Sequence, residues 1–173
     1  MADMNNDHME DDDMDVKLTL VSQEQEKYQV PKRVAMMSEL IKTIVESDAT
    51  DKEIPLPHVK GNVLHKVVMY MKYHSDNPPR EIEKPLKSPI MNEVVEQWDA
   101  DFVDIDREQL FDLIVAADYM HIQPLFNLAC AKVASIIKNK TPEQIRRALN
   151  IPNDFTPEEE EAVRAENRWA EDM

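Results

Sequence analysis

A single glycine, Gly61, serves a chain of 173 residues. Glycine enters the φ > 0 region at no steric cost, so a fold built on many tight left-handed turns is disfavoured here. A glycine-rich loop cradling a phosphate is disfavoured for the same reason. The scarcity argues against a nucleotide-binding enzyme and for a mostly helical protein.

Periodicity agrees. Val16, Leu18 and Leu20 alternate with Lys17 and Thr19, which predicts a strand with one buried face. Ser22 to Lys27 is turn-like, and Tyr28-Gln29-Val30 reads as a return strand ended by Pro31. From Lys32 to Glu46 the pattern is helical, with Ser38 as an N-cap and Leu40, Ile41, Ile44 and Val45 on one stripe. In Ile54-Pro55-Leu56-Pro57 every second residue is proline, which cannot donate to a ladder, so this is a short edge strand or an extended arm. Gly61-Asn62 opens a helix through His74. Residues 77–89 hold Pro78, Pro79, Pro85 and Pro89 and read as a long, mobile loop. Trp98 and Phe102, at i and i+4, should pack together. Arg107 to His121 is a strong helix, and another runs from Pro124 to Ile137, apolar over so wide an arc that two surfaces should cover it.

The end of the chain writes one helix start twice: Thr141-Pro142-Glu143-Gln144 and Thr156-Pro157-Glu158-Glu159. Each offers a threonine N-cap, proline at the first helical position and a capping-box partner three residues on. Neither helix carries the apolar surface to hold itself down. At roughly 25 cal/mol per Å2 of buried surface, so few large side chains barely offset the ordering cost. This region should be loose alone and ordered by a partner.

The formal net charge is −15, and Asp3, Asp7, Glu10, Asp11, Asp12, Asp13 and Asp15 precede the first basic residue, Lys17. Residues 1–15 therefore read as a disordered, solvated tail. Such acidity disfavours nucleic acid and anionic membranes as ligands. Cys130 is the sole cysteine, so no disulfide framework or cysteine zinc site is available. With no secretory signal, a cytoplasmic and nuclear setting is expected. The five histidines show no ligand spacing, and His65 and His74 are expected to be solvated. Cys130, among apolar neighbours, should be a buried, inert thiol. No catalytic residue, metal or cofactor is expected.

A set of motifs resembles a known family. They are Ile54-Pro55-Leu56-Pro57-His58-Val59, Trp98-Asp99 with Phe102, Leu110-Phe111 through Ala116-Ala117-Asp118-Tyr119, and Cys130. They continue with Thr141 to Arg147, Asn150 to Thr156, the acidic run Glu158 to Glu161, Arg164, Glu166-Asn167 and Trp169. Their order over residues 16–173 is similar to that of the S-phase-kinase-associated adaptor of Skp–cullin–F-box (SCF) ubiquitin ligases.

The resemblance implies an α+β, mostly helical fold. A BTB/POZ-type domain over 16–140, with a variable loop at 77–97, would be followed by an F-box-binding helix pair over 141–173. It implies a non-enzymatic adaptor that bridges a cullin scaffold to interchangeable F-box proteins. Carried over by position, the F-box surface is Leu110, Phe111, Ile114, Leu128, Cys130, Val133, Ile145, Leu149, Ile151 and Trp169, and the cullin contact is Asp118 and Tyr119. The family usually has Phe where Leu149 stands and Asn where Asp118 stands. The first change removes an aromatic face; the second adds a charge and removes two donors. Pro142 matches a proline that is hydroxylated and then glycosylated in some protist relatives. The rival readings are an elongin-C-like adaptor, which would end before Thr141, and a BTB module that forms homodimers through an empty apolar face.

Overall fold

A computed structural model describes residues 16–48 and 52–167; the acidic tail and Trp169 lie outside them. The chain divides into two compact units between Ser135 and Ile136. That division lies inside a helix, upstream of the 140/141 boundary expected from the sequence pattern. The pattern marks where a new helix starts, whereas Ser135 is the last buried residue among those described.

In the first unit, β1 (Lys17–Val21) pairs antiparallel with β2 (Lys27–Pro31), Leu18 facing Val30 and Leu20 facing Tyr28. The three-residue β3 (Glu53–Pro55) lies parallel on the other side of β1, with Leu20 beside Ile54. Strand alternation places Leu18, Leu20, Val30 and Ile54 in the core. The Leu56 N–H donates to the Val21 carbonyl at 2.8 Å. The nitrogen of Pro55 therefore points away from β1, where a missing N–H costs no ladder bond.

The helical pattern from Lys32 to Glu46 is broken into α1 (Lys32–Ala35) and α2 (Glu39–Ser47). Ser38 is extended between them, as an N-cap must be. Its buried hydroxyl accepts from Ile41 N–H at 3.2 Å and donates to the Met120 carbonyl at 2.6 Å. A partner far along the chain thus fixes where α2 begins.

Gly61 opens α3 (Gly61–His74). Its N–H donates to the Glu24 carboxylate at 2.7 Å, and a Cβ added there would fall 2.1 Å from Glu26 Oε2. Only the flexible end of the exposed Glu26 side chain stands where that Cβ would fall, and the glycine φ is not positive. Glu24, accepting from a helix N-terminus, has its carboxyl held below the usual range. Among the described residues the left-handed positions are Gln25, His121, Asn139 and Asn150, and no glycine is among them.

Residues 77–90 contain no helix or strand, yet Ile82 and Leu86 pack this segment against the core. A 3-10 turn (Met91–Glu93) then leads into α4 (Gln97–Phe102). Trp98 stacks on Phe102 with ring centroids 5.0 Å apart, as their spacing predicts, and on Tyr73 at 3.8 Å with planes 2° apart.

Beside this stack the expectation for His74 fails. Its ring is buried, with Nε2 2.9 Å from Asp99 Oδ1 and Nδ1 2.7 Å from the Asn77 carbonyl. The helix pattern showed a polar residue, and only α4 folding over it supplies the carboxylate. His65 stays exposed, as expected. Asp99→Ala should lower the unfolding free energy by about 1–3 kcal/mol, because a buried ring nitrogen loses its partner. Urea denaturation reads this, and an unchanged midpoint would show that the pair contributes nothing.

The first unit is completed by α5 (Arg107–Tyr119) and most of α6 (Gln123–Ile137), with α5 packed on α3. The second contains α7 (Pro142–Leu149) and α8 (Pro157–Glu166).

Candidate functional site

The N-cap of α5 is Asp106, whose carboxylate accepts from Gln109 N–H at 3.1 Å. Lys60, at the start of α3, donates to Asp112 at 2.7 Å and braces the two helices. Helical periodicity turns Leu110, Leu113, Ala116 and Ala117 inward. It leaves Phe111 at 42% and Val115 at 62% exposure. Ile114 is half-buried. Val115 was not among the sequence candidates, although it lies at i+4 from Phe111 and so on the same face. Asp118, at i+7, ends that face and is exposed. Tyr119 is half-buried and meets His58 edge-on, ring centroids 5.3 Å apart.

The sequence assignments need narrowing here. Leu110 and Leu128 are 1% and 3% exposed. They are core residues, and in this conformation they offer a partner no surface. The resemblance grouped them with Phe111 by position; burial depends on which side of the helix meets the fold. Cys130 and Val133 on α6 are half-buried. Cys130 was expected to be fully buried; even so, desolvation pushes its thiol pKa up, with Asp118 adding to this and Lys84 opposing it. A thiol so shifted is a poor nucleophile. Leu125, Leu128, Ala129 and Ala131 of α6 are buried, while much of its remaining arc is only partly covered.

α5 stops without glycine. His121 turns left-handed at φ 52°, its N–H bonds the Asp118 carbonyl at 3.0 Å, and Ile122 N–H bonds the Ala117 carbonyl at 2.9 Å. This is a Schellman stop. It fixes the helix end that presents Asp118 and Tyr119.

In the second unit both capping boxes form. Thr141 Oγ1 accepts from Gln144 N–H at 3.3 Å and Gln144 Oε1 accepts from Thr141 N–H at 3.0 Å. Thr156 and Glu159 repeat this at 3.3 and 2.9 Å. The Thr156 backbone and hydroxyl hold the Glu159 carboxyl below its usual range. α7 ends in the same kind of stop as α5, with Asn150 left-handed and Ile151 N–H donating to the Arg146 carbonyl at 2.8 Å. No side chain of α7 or α8 is buried. Ile145 and Leu149 are half-buried, Ile151 and Pro142 are exposed, and Trp169 lies outside the described residues. Phe155 and Val163 are exposed as well, two apolar groups that the sequence candidates did not include.

Among the described residues no group of three or more His, Cys, Asp or Glu is placed to hold a metal ion, and no helix is long and apolar enough to cross a membrane. The exposed groups are an apolar strip on α5 ending in a carboxylate, and a capped helix pair with no buried side chain among the described residues.

Residues 16–76 match the model of the Skp1 family tetramerisation domain, and residues 123–170 match that of the Skp1 family dimerisation domain. The S-phase kinase-associated protein 1 homolog of Tetrahymena thermophila is 50% identical over 157 residues, covering 90% of this chain and 95% of that protein. The chain belongs to the Skp1 family. SKP1-like protein 1A of Arabidopsis thaliana is 45% identical, covering 89% of this chain and 96% of its own length. The E3 ubiquitin ligase complex SCF subunit sconC of Arthroderma otae is 41% identical, covering 90% of this chain and 95% of its own length. The Skp1-family tetramerisation match ends just beyond α3, and the dimerisation match starts at the first residue of α6. The exposed strip of α5 lies between the two.

Proposed function

We propose that this Skp1-family chain is the adaptor of an SCF-type ubiquitin ligase, bridging a cullin scaffold to interchangeable F-box substrate receptors. Its similarity over most of its length to a protein named as an SCF subunit supports the assignment. The structural observation that carries it is the pair α7 and α8, each opened by a closed capping box yet without one buried side chain. Helices this short are marginal in water by themselves, so such a pair is built to be completed by another protein. We assign the F-box contact to Phe111, Ile114, Val115, Cys130 and Val133 on α5 and α6, and to Ile145, Leu149, Ile151 and Trp169 in the extension. The cullin contact is assigned to Asp118 and Tyr119. The adaptor would act in cytoplasm and nucleus and perform no chemistry itself.

The deciding experiment is capture of a purified F-box segment by the full-length chain. Saturable, stoichiometric binding is expected, and absence of binding would overturn the assignment. The exposed Phe111 and Val115 favour one further state, a homodimer of the partner-free chain, which sedimentation with and without the F-box segment would resolve: a dimer that persists in its presence would exclude the shared face. Pro142, exposed at the first position of α7, is the site proposed for hydroxylation and glycosylation; an unmodified intact mass of the natively purified chain would rule this out.

A further inference from the structure

Among the described residues, neither α7 nor α8 buries a side chain, so other contacts bear on the gap between them. Arg164 on α8 lies 3.3 Å from Glu143 on α7 and 3.8 Å from Glu160 on its own helix. Glu160 lies 3.9 Å from Arg146 on α7. The guanidinium of Arg146 sits over the Phe155 ring, 5.4 Å from its centroid. The four charges alternate in sign along one chain, and two of the three pairs cross between helices. A cleft of about 970 Å3 is lined by these four residues together with Phe155 and Val163.

We propose that Glu143, Arg146, Glu160 and Arg164 are positioning residues: together they hold α7 and α8 at the separation that keeps the cleft open for a receptor segment. An isolated exposed ion pair stabilises by only about 0.2–1 kcal/mol, and in a domain with a core it would be outweighed. Here no buried side chain of either helix competes. The network is selective in what it joins. Arg146 and Glu160 are less exposed than Arg164 and Glu143, so the crossing that lies nearer Phe155 is also the better shielded. Glu143 is held below the usual carboxylate range, first by its own backbone and the Thr141 hydroxyl, then by Arg164 and Arg146.

The proposal rests on the adaptor reading for its ligand but not for its geometry, so two readouts are needed. In the full-length chain, Arg146→Gln with Arg164→Gln removes both cations. Inverting all four charges (E143R, R146E, E160R, R164E) restores every pair with reversed polarity. The double variant should bind the F-box segment about threefold to tenfold more weakly at low salt. It should also exchange its α7 and α8 amides faster, while the first unit is unchanged. The inverted variant should recover at least half of both losses. Raising salt toward 1 M should bring wild type down to the double variant, since charges at the surface are then screened within about 3 Å. Wild-type binding and exchange in the double variant would overturn the proposal, as would an inverted variant no better than the double one. If wild type fails to bind the segment at all, the adaptor reading falls, and the exchange measurements still decide the network.

Discussion

Leu110→Ala is expected to cost about 2–5 kcal/mol of unfolding free energy, whereas Phe111→Ala, one residue further on, should cost under about 1 kcal/mol. The two side chains leave α5 about 100° apart, one toward the core and one toward solvent. Leu110 is 1% exposed, so truncation opens a cavity that the surrounding core only partly refills. Phe111 has much of its surface in water already. On F-box capture the order should invert. Phe111→Ala should weaken binding at least about tenfold, as the loss of an aromatic anchor does at an interface centre. Leu110→Ala should weaken it only through unfolding, and so recover at lower temperature. Urea denaturation and titration with the F-box segment give the two scales. A Phe111 variant that binds like wild type would remove α5 from the receptor surface. A Leu110 variant as stable as wild type would contradict its place in the core.

Ending the chain at Lys140 should reduce F-box capture at least about a hundredfold, while the urea midpoint of the remaining chain moves little. The binding loss follows from removing several apolar contacts at once, since residues that dominate interfaces are worth about 2 kcal/mol or more each. The small stability change follows from the absence of any buried side chain in α7 or α8. Capture that survives truncation would place the receptor surface wholly on the first unit. Unfolding of the truncated chain would show that the extension supports the body as well.

Local signals in the sequence determined local features of this protein. Both capping boxes form at the predicted threonines, because donor and acceptor lie within one turn. The Trp98–Phe102 contact follows from the same short range. Family motifs carried the choice of partner, since a surface is legible only when a known surface has the same residues in the same order.

Tertiary structure decided what depends on the other side of a contact. His74 looked like a solvated helix residue until α4 brought Asp99 to within 2.9 Å of its ring. Packing turns Leu110 and Leu128 inward and leaves Val115 outside, a distinction that position in the sequence does not carry. The lone glycine shows the division most clearly. Its rarity correctly pointed to a helical chain, but the turns that need left-handed backbone are made by Gln25, His121 and two asparagines. Gly61 instead opens α3, its N–H donating to the carboxylate of Glu24, a residue far from it in sequence. Composition records how many glycines a chain has; only the fold determines which backbone positions need one.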